Sequence, residues 1–581
     1  MERRRKLDIA CSTSGAASLI CRGVVVASVF LCLQICVAAQ TPPADDSALQ
    51  QIKQLFTAER WQEIIRVAAA VQTPSADIDF YYGTALAKLG QWDGARRAFQ
   101  AGSKLRPQDE RFPVEIGGVA FKRKRYGEAA AYLRQALRLD PHDSYANDFL
   151  GTVYFIQGNL PAALKYWNRV DKPQIAELGS DPVPRLDPVI LDSAFAFSRA
   201  SVLRLPALWT TEKRLDGLDL FPSYRLDLQA RDDGKFDVVF RNHELDGWGP
   251  NKWAALFLLL RGLPAQTVYP EYFNFKGKGL NLTSMFRWDA NKRRLQAEFS
   301  GPFESKAGRH FALGADLRDE NWDLYRSFTG PAPLLGAFKL RRAAIGADVT
   351  SFVNGRWTWS AGAEISHRDF GNVNLGTVLT PALLPKGYQL KQTTSLNAAL
   401  LRIPERRLSL SASGSSQVGR IWSGPSHTFE KLQSSLRLHW FPRAQGDDYE
   451  MQGQVRAGKT WGDVPFDELF TLGIDADNDL WMRGHIATRD GRKGSAPLGR
   501  NYMLVNWEQD KNVYGNGLTT LKLGPFLDTG KITDPVPGLG SQRWLWDLGA
   551  QAKVRVLGTE VVFSYGKDLR SGNNAFYVTL R

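Results

Sequence analysis

The chain has 581 residues, a formal net charge of +14, 11% aromatic residues and four cysteines. All four, Cys11, Cys21, Cys32 and Cys36, fall in the first 39 residues, which leaves no disulfide or thiolate–metal chemistry to the rest. The length allows several domains. The scattered His residues show no metal-ligand spacing, and no nucleophile elbow or phosphate loop is present, so the sequence predicts no enzyme, cofactor, metal or nucleic-acid function.

Residues 1–39 begin with Arg3, Arg4, Arg5 and Lys6, continue in the apolar run "GVVVASVFLCLQICV", and end on Val37-Ala38-Ala39. This is the pattern of a secretory signal peptide removed on export. A membrane anchor is the alternative, although the run is short for a span. Without the five basic and two acidic residues of this segment the net charge is about +11. No later stretch approaches the ~18 uninterrupted apolar residues of a helical span.

Residues 79–170 carry an internal period of 34, within an array that spans 44–172. Gly83, Gly117 and Gly151 keep that spacing, as do Ala95, Ala129 and Ala163. Pro107 and Pro141 repeat it, and so do Trp92, Tyr126 and Leu160. The pattern resembles the tetratricopeptide repeat, a helix–turn–helix unit in which small residues let paired helices approach closely. Residues 47–74, around Trp61, read as a degenerate capping unit. Arrays of this kind bind peptide segments or other subunits on their concave face, and a rigid spacer is the other reading.

A proline-rich stretch at 173–188 reads as a linker. Beyond it, Leu215, Leu218 and Phe221 suit one face of a short helix. Leu226 and Leu228, then Phe236, Val238 and Phe240, alternate on two strands about an Asp232-Asp233-Gly234 turn. Residues 189–244 resemble the second half of a polypeptide-transport-associated (POTRA) domain. An unrelated α/β connector would carry the same pattern.

From 245 to 581 the chain reads as sixteen antiparallel strands, the first at 253–261, with separate strands at 309–318 and 321–328. In "RWTWSAGAEISH", Trp357, Trp359, Ala361, Ala363 and Ile365 share one face. Connections alternate between short, as at Asn354-Gly355, and long, as at 262–279, 301–308, 368–388 and 462–501. Short turns on one side and long loops on the other predict an outer-membrane barrel. The apolar run of 253–261 is the weakest of these strands, since such runs fit a helix equally well.

The longest connection contains "DLWMRGHIATRDGRKGSAPLG", and downstream stands "LGPFLDTGK". Arg483-Gly484-His485 and Phe526-x-Asp528-x-Gly530 resemble the bacterial surface antigen superfamily, which includes outer-membrane protein assembly factors and two-partner secretion transporters. The resemblance runs over 466–581 and more weakly back to about 205. It implies a sixth loop folded into the barrel, with Arg483 meeting Asp528 on the inner wall. Parity agrees: Leu521, Leu523 and Leu527 take one strand face, leaving Phe526 and Asp528 on the other. By the same count Glu508 faces inward on the neighbouring strand, where a guanidinium can fork between two carboxylates. Gly484 is expected to serve a tight backbone turn, and His485, where the family has Phe or Tyr, to stack on the wall.

The function expected is a non-enzymatic conduit or insertase for polypeptides in the outer membrane. Its repeat array and POTRA-like domain would face the periplasm and recruit a protein partner or client. A polysaccharide exporter joining a repeat array to a sixteen-stranded barrel is the alternative, and a basic chain suits an anionic polymer.

Overall fold

The computed structural model describes residues 44–249, 251–325, 332–423, 426–443, 446–516, 519–533, 541–556 and 559–580. The expected signal peptide lies outside them. The chain divides into two compact units, one ending at Lys124 and one running from Arg125 to the carboxy terminus.

The first unit is helical: α1 (Ala44–Thr57), α2 (Trp61–Ala69), α3 (Ala76–Lys88), α4 (Trp92–Leu105) and α5 (Arg111–Lys122). The repeated small residues sit where helices touch. A Cβ on Gly83 would lie 2.6 Å from the Phe99 ring, and Ala95 is fully buried on α4. Gly117 is buried on α5. Asp79, on α3, is buried with one carboxylate oxygen lacking a hydrogen-bond partner among the described residues. Burial raises its pKa to about 6.

The second unit opens with three more helices, α6 (Tyr126–Leu139), α7 (Ser144–Ile156) and α8 (Leu160–Trp167). Gly151 lies against Trp167, and Ala129 and Ala163 are fully buried. A small domain follows in the order β1 (Ile175–Asp181), α9 (Pro188–Ala194), α10 (Leu205–Gly217), β2 (Ser223–Ala230) and β3 (Phe236–His243). Its sheet runs β1-β3-β2, with β1 parallel to β3. The expected linker at 173–188 is therefore partly a strand. Pro173 and Pro182 flank β1 rather than interrupt it, so the ladder loses no donor. Leu215, Leu218, Val238 and Phe240 form the buried face, and Gly234 turns the hairpin with φ +76.

The rest is one large antiparallel sheet. After α11 (Lys252–Leu260) and the two-residue β4 (Thr267–Val268) come β5 (Asn281–Trp288), β6 (Lys292–Phe303), β7 (Lys306–Tyr325), β8 (Leu334–Phe352) and β9 (Trp357–Asn374). Then follow β10 (Gly387–Ile403), β11 (Leu408–Trp422), β12 (Ser426–Trp440) and β13 (Tyr449–Gly462). The connection 463–500 carries four two-residue strands, β14 (Phe470–Thr471), β15 (Thr488–Arg489), β16 (Arg492–Lys493) and β17 (Leu498–Gly499). The sheet resumes with β18 (Asn501–Gly515), β19 (Thr519–Thr533), β20 (Ser541–Val556), β21 (Thr559–Asp568) and β22 (Asn574–Leu580). Consecutive strands pair from β5 to β13, β13 pairs with β18, and consecutive strands pair again to β22.

Two differences from the sixteen expected strands leave fourteen long ones among the described residues. The run expected as the first strand is α11, because it lacks alternation and Asn251 caps it by accepting from the Ala254 amide at 2.9 Å. Trp253 on this helix is 81% exposed. The expected strands 309–318 and 321–328 are the single strand β7. Its Asp319-Glu320-Asn321 segment stays in the ladder and finds basic partners, Lys339 for Asp319 and Lys493 for Glu320. The turn between β6 and β7 is then only Glu304-Ser305, with φ +54 and +58, in place of the long 301–308 loop.

One sheet face is apolar and exposed: Leu313, Leu317, Ile345, Ile365, Leu432, Leu436, Leu523 and Val578 all stand on it. So much exposed apolar surface calls for lipid. Strands of 18–20 residues, as in β7 to β9, exceed the about 9–11 that cross a bilayer. Among the described residues no helix is long and apolar enough to cross a membrane. The short-turn end of the sheet rests on the small domain and α8. Ser193 Oγ accepts from the Ala307 amide at 2.9 Å, and Thr210 Oγ1 accepts from the Gly355 amide at 2.9 Å. Asn159 donates to the Pro404 carbonyl at 2.9 Å, while Glu405 receives Lys165 at 2.5 Å and Tyr166 at 2.8 Å. Burial pushes the Glu405 carboxyl up, but these two donors hold it below its ordinary value.

Candidate functional site

Strands β13 and β18 pair directly, Lys459 opposite Asn501, so residues 463–500 leave the sheet and return to the same place. The excursion lies on the polar sheet face. Its interior is organised by short pairings, β14 with β17 and β15 with β16, the latter closed by Asp490 and Gly491 at φ +50 and +77. Asn478 donates its amide to the carbonyls of Thr471 (3.0 Å) and Gly473 (2.6 Å) and fixes the limb leading to the tip. The tip itself turns at Met482, whose carbonyl accepts from the His485 amide at 3.0 Å.

Arg483 is only 3% exposed. Its Nε and Nη2 donate to the two oxygens of Asp528 at 2.9 and 2.6 Å, and its backbone amide donates to the same carboxylate at 3.0 Å. Its Nη1 donates to Glu508 at 2.9 Å and to the Gln551 carbonyl oxygen at 2.6 Å. The guanidinium lies 3.8 Å over the Phe526 ring. Planarity lets one cation satisfy a bidentate carboxylate, a second carboxylate and an aromatic face together, which an ammonium cannot do. Gly530 leaves room for the loop: a Cβ there would lie 2.9 Å from Met482 Sδ. Lys553 supports the acids from behind, 2.5 Å from Glu508 and 2.7 Å from Asp510.

Gly484 lies in the tight turn of the tip, as expected, and also serves close approach. Its amide donates to Asp547 at 2.6 Å, and a Cβ would lie 2.6 Å from that carboxyl carbon. His485 does not stack on the wall. It sits between two carboxylates, Nδ1 3.1 Å from Asp547 and Nε2 3.8 Å from Asp568. Ligand-type atoms of these three residues lie within 4.8 Å of one another. With each ring nitrogen facing its own carboxylate, the arrangement suits an imidazolium bridging two acids better than an imidazole holding a metal.

Two further anchors carry no sequence motif. Asp477, on the same loop, accepts from Arg287 of β5 at 2.8 Å and Arg294 of β6 at 2.9 Å, and lies 3.2 Å from Lys493. Glu468 lies among four bases from four strands: Lys391 at 3.1 Å, Arg342 at 3.5 Å, Arg368 at 3.7 Å and Lys431 at 3.9 Å. Neighbouring Asp467 accepts from Arg368 at 2.9 Å. Arg342 and Arg368 are direct cross-strand partners. Like charges so placed repel, and the acid delivered by the loop offsets that repulsion. Only lumen-side parity on each strand would have hinted at this cluster from sequence. Asp475 completes the tethering, 3.3 Å from the Tyr577 hydroxyl of β22 and 3.6 Å from Lys292 of β6. One carboxylate thus joins the last strand to β6, near the other end of the sheet.

A tetratricopeptide repeat family model matches residues 82–144 and 114–174. Among solved structures, the chain is similar to CdiB from Escherichia coli, at 14% identity over 70% of this chain and 75% of that one, with a TM-score of 0.42. It is similar also to BamA from Haemophilus ducreyi lacking POTRA domains 1-3, at 12% identity over 70% of this chain and 83% of that one, TM-score 0.40. MamA matches at 18% identity over 22% of this chain and 77% of that one, TM-score 0.21. No curated protein matches in sequence.

Proposed function

We propose that the chain is an outer-membrane barrel that inserts or translocates polypeptides, exported by its first 39 residues and without enzymatic activity. The curled antiparallel sheet closes around the loop. Closure is supported by the strand order, which returns from β22 to β4, and by the reach of Asp475 to β22 and β6. The small domain is read as POTRA-like from its βααββ order and β1-β3-β2 sheet. With α8 it lies at the short-turn end, the periplasmic one in barrels of this kind.

The observation that carries the reading is the loop tip: Arg483 buried between Asp528 and Glu508, on a loop tied to strands from β5 to β22. A permanent porin has no use for a loop held inside it by ion pairs to so many strands. Such pairs are individually reversible, and a conduit for a large passenger needs its plug held at rest and released in use. Repeats that recruit a partner, and the exposed β2 edge able to take an added strand, supply the capture step.

The test is depletion in the source bacterium, with outer-membrane and secreted proteins and surface carbohydrate measured together. The reading expects one protein or a few to vanish from the surface or medium while carbohydrate stays unchanged. Loss of carbohydrate with unchanged proteins would replace it with the polysaccharide exporter, which a basic interior also suits.

A further inference from the structure

The loop does not cover the polar face evenly. Its ion pairs engage β5 to β10, Lys431 of β12, Arg456 of β13 and β18 to β20, but between these anchors the wall along β10 to β12 carries a strip of neutral hydroxyls. On β11, Ser409, Ser411, Ser413 and Ser415 alternate inward while Val418 and Trp422 face the opposite, exposed side. Hydroxyls pair across strands, Ser413 with Ser435 at 2.7 Å and Ser360 with Ser395 at 2.6 Å. Cavities of ≈ 690, 520 and 260 Å³ line up along this sector and share Arg437. They run from Lys213 and Asp216 of α10, past Asn397 and Ser413, to Asp479 and Trp481 near the loop tip.

A hydroxyl donates and accepts, so a serine strip meets either a peptide N–H or a C=O without demanding a register. Small neutral side chains also leave nothing for an apolar segment to bury against. The strip therefore suits an extended hydrophilic chain rather than a folding hairpin. Its charge is mostly basic toward the short-turn end, with carboxylates such as Asp479 and Glu508 at the loop end. Arg437 is exposed and pairs with no carboxylate among the described residues, and Arg356, Arg402 and Lys213 stand at the short-turn end against Asp216. A positive passage raises the local concentration of acidic segments.

We propose that the inward face of β10 to β13 is the track along which the passenger polypeptide crosses in extended form, and that Arg437 sets its preference for acidic over basic segments. This rests on the polypeptide-transport reading above. Passage is then through the interior, not between the sheet ends near α11.

The experiment places a photo-crosslinking benzoylphenylalanine at Ser413, and in a control at Val418, in the full chain reconstituted in liposomes. Probes are a Ser-Asp repeat peptide, a Ser-Lys repeat peptide and an oligogalacturonate competitor. Expected is crosslinking of the acidic peptide at 413 about tenfold above the basic one, none at 418, and a reversed preference in Arg437→Glu. Equal crosslinking of both peptides, or none at 413, overturns the track. So does protection of position 413 by oligogalacturonate without any peptide crosslink, which would give the strip to an anionic saccharide. Since depletion reads transport in the cell independently, a failed track with intact protein loss on depletion leaves the conduit reading standing.

Discussion

The loop is held at two places by opposite charge patterns. At its tip one base, Arg483, enters a wall of acids contributed by β18 and β19. On its incoming limb one acid, Glu468, enters a wall of bases contributed by β8, β9, β10 and β12. Each wall carries like charges that repel without the loop, so in both cases the loop completes the wall as much as the wall holds the loop. The difference lies in geometry. Arg483 makes planar, bidentate bonds that fix orientation, whereas Glu468 sits 3.1–3.9 Å from its bases and is held by field more than by direction. The tip is a keyed contact and the limb a softer electrostatic one.

Arg483→Ala should have the largest effect, because it leaves Asp528 and Glu508 buried without their shared cation. A loss on the order of 3–5 kcal/mol is expected for breaking such a pair, read as a lowered midpoint in thermal unfolding in detergent. Arg483→Lys should recover less than half of it, since an ammonium cannot fork. Glu468→Gln should cost less, about 2 kcal/mol, because an amide still accepts from Lys391 and the bases keep Asp467 and Glu364. A Glu468 loss equal to that of Arg483 would erase the distinction between keyed and field-held anchors. The expected order also predicts protease access to 489–493 in whole cells for the arginine variant first.

Asp79 in the helical array is the contrasting case, a buried carboxyl that no base among the described residues meets. Its pKa is raised, to about 6, so the folded state binds the proton more tightly than the unfolded one. Stability is then fully present below the ordinary value of 3.8 and is lost as pH rises through about 6. Asp79→Asn should stabilise the protein by about 1 kcal/mol more at pH 7 than at pH 5, with the gain vanishing only at about pH 3. Equal effects at both pH values would show that the acid is not strained by burial.

The tip was legible in the sequence and the limb was not. Arg483 and Asp528 stand 45 residues apart in recognisable short patterns, and strand parity alone turned Asp528 and Glu508 inward. The bases around Glu468 come from four strands with nothing local to join them. Parity also explains the fold-level outcome. Strands with one apolar face, such as β9 and β19, announced themselves, whereas α11 is apolar without alternation. The Asp319-Glu320-Asn321 segment of β7 looked like a turn because consecutive polar residues resemble a solvated loop until their partners are in place, Lys339 for Asp319 on the outer face and Lys493 for Glu320 on the inner one. Prolines around β1 hid a strand in the same way, by marking its ends.

The most direct measurement is a double-mutant cycle on Arg483→Ala and Asp528→Ala, with each variant checked for arrival in the outer membrane. Two readouts are taken, thermal stability and the surface level of the proteins lost on depletion. If the two residues act as one contact that holds the loop, either change alone should bring down both readouts, and the double variant should be little worse than the more damaged single. Losses that simply add, or stability lost with delivery untouched, would contradict the claim that this contact controls passage.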